Sequence, residues 1–262
     1  MKKLITLLLA VLMIASLTAC GNSDADAQGD MKLVEKGKLI VATEATFPPY
    51  EMVADNGKGV AGTGLEGIDI EIAAALAEKL DLELVVDNMD FDAALLSVQN
   101  GKADIVLAGV SVTPEREKVM SFSSSYATSV QVVIVKEDSD IKSASDLVGK
   151  KIGTQQGTTG YIYCSDEFGD ENVIAFDNGA TAVQNLIAGK VDAVVIDKLP
   201  AEAFIKNNDG LVILESPYAE EEYAIGMAID NAGLQKAIND ALAEMDEDGT
   251  LQKIVDKYIN AG

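Results

Sequence analysis

The chain contains no histidine. That absence removes Ser-His-Asp and Cys-His nucleophile systems, imidazole general bases and every zinc site that uses an imidazole ligand. Cysteine occurs twice, at Cys20 and Cys164, too rarely for a disulfide framework or a Cys-only structural zinc site. Basic residues are scarce: 20 Lys and Arg stand against 43 Asp and Glu, a formal net charge of −23. No Lys/Arg cluster relieves that charge locally, so nucleic-acid phosphates and anionic lipid headgroups are excluded as partners. Arginine is rarer still, present only as Arg116. What remains is 262 residues, 48% hydrophobic and 24% charged, enough to bury a substantial core in one or two domains and unlike a disordered chain.

The one long apolar run lies at the start. Lys2 and Lys3 form a short basic region and residues 4–17 are apolar or small. A run of about fourteen is too short for a bilayer core of roughly 30 Å and fits a secretory signal. Residues 1–19 are therefore expected to be a signal peptide. The sequence LTAC at 17–20 resembles the lipobox of bacterial lipoproteins, which implies cleavage before Cys20 and a diacylglyceryl group on its thiol. The plainer alternative is an ordinary signal with an incidental cysteine. Residues 20–30 are polar and rich in Gly and Asp, as a flexible tether would be. The protein is expected outside the membrane, anchored to it by the lipid alone.

Beyond the tether, short apolar runs such as LIVA (39–42) and IVLA (105–108) alternate with helical patterns over 69–80 and 91–100. That rhythm predicts an α/β fold with mainly parallel sheets covered by helices. An internal echo sharpens it: LLSVQNGKADIVL (95–107) and VQNLIAGKVDAVV (183–195) align with Gly101 on Gly189 and Asp104 on Asp192. Each Gly suits a left-handed helix end. Two similar lobes are expected, lobe 1 from 31–125 and 227–262 and lobe 2 from 131–221. The final helical patterns, 234–245 and 251–259, lack strands of their own and must pack on an existing lobe. Two chain crossings, 126–130 and 222–226, would form a hinge, and a cleft between lobes is where a small ligand would bind.

In open α/β sheets ligands bind beyond the carboxyl ends of strands. The run ending at Ala108 continues into Gly109, Ser111 and Arg116, and its echo ends at Asp197. With all other cations lysine, the one planar guanidinium fork stands where it could take a carboxylate bidentately. Arg116 could instead pair with Glu115 or Glu117, and Asp197 could simply cap the helix that follows. Between them TQQGTTG (154–160) is a strand-to-helix loop whose N–H groups could hold an anion, with Thr158 and Thr159 at its end. Together these groups complement a zwitterion: Arg116 and the loop for a carboxylate, Asp197 for an ammonium. Phe47, Tyr50 and Phe91 could sandwich a side chain or belong to the core. Glu44 ends the first strand and could meet a cationic or amide group. GTGLEG (62–67) mimics a dinucleotide fingerprint, but it follows a loop rather than a buried strand, so no cofactor is expected. Cys164 reads as a small hydrophobe, and the acids at 24, 26, 246 and 248 belong to the tether and a turn, so no metal is expected.

Six stretches then match a known family: VATEATFPPYE (41–51), residues 88–126, DLVGKKIGTQQGTTG (146–160), AGKVDAVVID (188–197), EEYAIGMA (221–228) and DGTLQKIVDKY (248–258). From about 37 to 258 the chain resembles the polar amino-acid-binding proteins of ABC importers, solute-binding protein family 3. The resemblance implies a two-lobed, type II periplasmic-binding-protein-like fold, delivery of the ligand to a membrane permease, and a monomer. It also implies Arg116, Gly109 and Ser111 on the ligand carboxylate, Asp197 on its ammonium, aromatic walls at Phe47 and Phe91, loop contacts at Thr158 and Thr159, and Glu44 near the side chain. The sequence departs from the family in a long Gly-rich stretch, 57–67. Glu44, with Asp90 or Asp92 nearby, tilts the expected ligand toward a cationic amino acid rather than glutamine or cystine. The alternative is a dehydratase on the same scaffold, acting on a prephenate-like acid with Glu44 as general acid.

Overall fold

The computed structural model describes residues 31–259 apart from Ser216; the signal segment, Cys20 and the tether lie outside the described residues. The chain first forms β1 (Lys38–Thr43), then the short strands β2 (Thr46–Phe47), β3 (Glu51–Val53) and β4 (Leu65–Glu66). Helix α1 (Ile68–Lys79), β5 (Glu83–Asn88), α2 (Phe91–Gln99), β6 (Ile105–Val106) and β7 (Met120–Phe122) follow. After a crossing come β8 (Ala127–Lys136), β9 (Ile152–Gln155), α3 (Thr159–Phe168), β10 (Val173–Phe176), α4 (Gly179–Ile187), β11 (Ala193–Asp197), α5 (Lys198–Lys206), β12 (Leu211–Ile213) and β13 (Ala219–Tyr223). The chain then returns as β14 (Gly226–Ala228), α6 (Ala232–Glu247) and α7 (Thr250–Ile259).

Two main sheets result, one per lobe, beside a small antiparallel sheet of β2, β3 and β4. The first runs β5-β1-β6-β14-β7 and the second β10-β9-β11-β8-β12, with β13 also on β8. Both are mixed rather than mainly parallel. In lobe 1, β5, β1 and β6 are parallel, but β14 pairs antiparallel with β6 and β7. In lobe 2, β10, β9 and β11 are parallel and β8 is antiparallel to β11. The reason is topological: each antiparallel strand is one that arrives by a crossing from the other lobe, with no helix to turn it round. The parallel strands are covered on both faces, which is why β1 and β11 read as unbroken apolar runs. Cys164 sits fully buried in the lobe 2 core beside Leu147 and Ile152, and burial pushes its thiol up to about 12.

The internal echo has a structural cause. Asp104 accepts the N–H groups of Val34 and Ile40, each at 2.7 Å, and its own N–H bonds Ile40 O at 2.8 Å. Asp192 repeats this on Lys151, accepting its N–H at 2.8 Å and donating its own N–H to Lys151 O at 2.8 Å. Each aspartate therefore fastens its strand to the entry of the lobe's first parallel strand. Gly101 and Gly189 end their helices at φ 65° and 69°, where a side chain would be strained.

The crossings lie side by side. Ala127 to Gln131 pair antiparallel with Tyr223 to Ala219, and the Tyr126 and Ser123 N–H groups bond Tyr223 O and Ile225 O at 3.0 Å each. Helices α6 and α7 pack on each other and on α1, so the strandless C-terminal segment completes lobe 1.

Candidate functional site

A cleft between the lobes is lined by Glu44, Phe47, Glu51, Phe91, Ala108, Gly109, Ser111, Arg116, Gln155, Thr158, Thr159 and Asp197. Nine of the ten residues singled out in the sequence line it. Tyr50 does not: it lies behind Phe47, stacked at 5.8 Å and edge-on to Tyr223 at 5.2 Å, so it supports the wall rather than forming it.

Arg116 opens a short 3₁₀ turn that follows the β6 loop. It is buried, and its guanidinium lies 5.5 Å from the centre of the Phe91 ring. Nη1 donates to Ser111 O at 2.8 Å within lobe 1, and Nη2 donates to Gly157 O of lobe 2 at 3.1 Å. Glu115 pairs with Lys118 instead, so the surface ion pair that could have occupied Arg116 is not made. Gly109 holds φ 54°, and a Cβ there would meet the Phe47 ring at 2.9 Å; only glycine lets the loop pass this close to the aromatic wall.

Asp197 stands at the N-cap of α5 without making a side-chain cap bond. Its carboxylate turns into the cleft, accepting Ser129 Oγ at 2.6 Å, Gln131 Nε2 at 2.8 Å and the Tyr223 hydroxyl. Burial, with Glu221 nearby, pushes its acid up to about 6. Gln131 Nε2 also donates to Glu221 Oε2 at 2.9 Å, and Ser111 Oγ donates to the same oxygen at 3.1 Å. Thr158 caps α3 by accepting Tyr161 N–H at 3.3 Å, which leaves the helix start facing the cleft with Thr159. Thr159 Oγ1 approaches Ser111 Oγ at 3.5 Å. On the far side Glu44 accepts the Thr46 hydroxyl and Gln155 Nε2, the latter at 3.3 Å, while burial raises its acid.

Sequence reasoning missed Glu51, Gln155 and the ring of donors on Asp197. A signal existed for Ser129 and Gln131: they are polar at period two in an otherwise apolar strand, which places both on one face. Glu51 gave none, because nothing local marks β3 as part of the cleft wall.

A two-lobed α/β molecule with two adjacent crossings and an enclosed polar cleft between them is the type II periplasmic-binding-protein fold. The chain belongs to the bacterial extracellular solute-binding proteins, family 3, whose profile matches residues 39–261. It is 33% identical over 256 residues, covering 97% of this chain and 93% of the relative, to the L-cystine-binding protein TcyJ of Escherichia coli K12. The arginine-binding extracellular protein ArtP of Bacillus subtilis is 34% identical over 268 residues, covering 98% of each. Among solved structures, an ancestral arginine-binding protein bound to glutamine superposes with a TM-score of 0.79 at 41% identity, covering 86% of this chain and 99% of the other. The protein is a solute-binding protein and not an enzyme, so the dehydratase alternative falls.

Proposed function

We propose that the protein captures a polar L-amino acid, best a cationic one such as arginine, by closing its lobes, and hands it to an ABC permease while anchored through Cys20. One observation carries the reading. A single buried guanidinium and a buried, hydroxyl-supported carboxylate face the same small cleft from opposite lobes, a complement to a zwitterion. Arg116 with Gly109, Ser111 and the Thr158–Thr159 helix start takes the carboxylate, and Asp197 takes the ammonium. Glu44 lines the remaining wall, and no cation but Arg116 does, which favours a positively charged side chain between Phe47 and Phe91. Relatives named for arginine, histidine and cystine binding support this class. Closure follows because a ligand touching both lobes stabilises only the arrangement in which both are near. The LTAC sequence before Gly21 supports the lipid anchor.

The test is thermal melting of the chain from Gly21 onward against a panel of amino acids. A ligand at a hundred times its dissociation constant adds about 2.7 kcal/mol of stability. The largest shift is expected with L-arginine or L-lysine; a largest shift with glutamine or cystine overturns the cationic preference, and no shift with any amino acid overturns the reading. A Cys20→Ser chain should appear free of the membrane fraction, and retention there would remove the lipid anchor.

A further inference from the structure

Among the described residues, eight buried side-chain oxygens have no hydrogen-bond partner, and three of them meet at one place: both carboxyl oxygens of Glu51 and Oδ1 of Asp69. Glu51 and Asp69 are each fully buried. Backbone geometry brings them together: Met52 of β3 pairs with Glu66 of β4, and the Asp69 N–H bonds Tyr50 O at 2.9 Å. The groups facing the pair are Glu44 and Asp197 and the phenols of Tyr50 and Tyr126, all acids. Two adjacent carboxylates with no cation to balance them cannot both stay ionised in a dry interior. One proton between them satisfies two of the three oxygens and removes the second charge. If Glu51 is the neutral acid, its O–H donates to Asp69 Oδ1, and Asp69 remains a carboxylate. Its other oxygen, Oδ2, already accepts the Gly109 N–H at 2.8 Å and the Tyr126 hydroxyl at 2.9 Å.

Those two partners give the arrangement a role. Gly109 heads the loop that ends in Ser111 and Arg116, and Tyr126 stands where the chain leaves lobe 1 for the hinge strand β8. We propose that Glu51 and Asp69 form a one-proton carboxyl pair that positions the Gly109 loop of the ligand cleft and ties it to the hinge through Tyr126. The inference rests on the amino-acid-binding reading for its functional consequence, but not for the proton. Burial raises both acids, consistent with a retained proton.

The proton is tested without ligand. Infrared spectra of the protein at mildly alkaline pH should show the carbonyl band of a buried carboxylic acid, lost in Glu51→Gln and kept in Glu44→Gln. A band that persists in Glu51→Gln, or is absent from the wild type, overturns the pair. Positioning is tested by calorimetry with L-arginine. Asp69→Ala should weaken binding about tenfold or more, the value of charged hydrogen bonds to Gly109 and Tyr126. Asp69→Asn should recover to within about threefold, since its carbonyl still accepts both donors while its NH₂ faces Glu51. If Asp69→Ala does not fold, Tyr126→Phe removes one arm alone and should weaken binding several-fold. Wild-type affinity in Asp69→Ala or in Tyr126→Phe overturns the positioning role. A wild type that binds no amino acid would sink the proposed function and leave the infrared result to decide the pair.

Discussion

Arg116 Nη2 of lobe 1 donates to the carbonyl of Gly157 in lobe 2 across 3.1 Å. One guanidinium therefore serves two ends at once, the loop of its own lobe through Ser111 O and the facing loop of the other lobe. Replacing it by lysine keeps the charge and loses the fork. Arg116→Lys is expected to raise the dissociation constant for the preferred amino acid about tenfold or more, read by isothermal calorimetry. Unchanged affinity would remove Arg116 from the carboxylate site.

Asp197 predicts a pH dependence with a definite sign. Its acid is raised in the folded state to about 6 from the ordinary 3.8. Without ligand, its contribution to stability is present below about 4 and lost as pH rises through 6. A ligand ammonium needs the ionised form. Affinity should therefore fall as pH drops below about 6, by up to tenfold per unit, with a proton released on binding. Asp197→Asn should weaken every amino acid and flatten that profile; a profile unchanged in the variant would assign the titration elsewhere.

Glu44 is expected to act on the ligand side chain rather than on its backbone groups. Its Oε2 accepts Gln155 Nε2 from lobe 2 at 3.3 Å, beside the wall away from Arg116. Glu44→Gln should cost more affinity for arginine than for glutamine, by about tenfold if one charged contact is lost. Equal losses for both ligands in competition calorimetry would undo the distinction.

Gly157 tests closure. It holds φ 76°, and a Cβ there would stand 1.6 Å from Asp92 Oδ1 of the other lobe. Gly149 has φ 72° with nothing within 4 Å, so alanine at either site carries a similar backbone cost of about 1 kcal/mol. Gly157→Ala alone should weaken ligand binding and enlarge the radius of gyration with ligand in small-angle scattering. Equal binding by the two variants would show that the lobes need not approach this closely.

The fold and most of the cleft were legible because they depend on local rules. Strand-helix alternation placed Ala108 and Asp197 at carboxyl ends, and composition made Arg116 conspicuous by isolation. The parts that were not legible depend on antiparallel strands entering from the opposite lobe. Sheets expected to be mainly parallel are mixed because β8 and β14 arrive by crossings, and the donors Ser129 and Gln131 come with β8 while Tyr223 ends its partner β13. Between the two places left open for Tyr50, cleft or core, the sequence could not choose for a related reason: Phe47 and Tyr50 lie on one short turn, and only tertiary packing decides which ring meets the cleft. Glu51 and Asp69 drew no reading from the sequence, since charge gives no warning of burial.

The two crossings are bonded to each other rather than running as separate threads. A ribbon of two paired strands bends and twists with its hydrogen bonds intact, whereas sliding the lobes along it would break the pairing of Ala127 to Gln131 with Ala219 to Tyr223. The proposed closure would therefore run by bending and twisting of this ribbon, with sliding excluded. Under that proposal Arg116 and Gly157 would meet again in register after each opening, and little orientational search would separate an encounter with ligand from its capture.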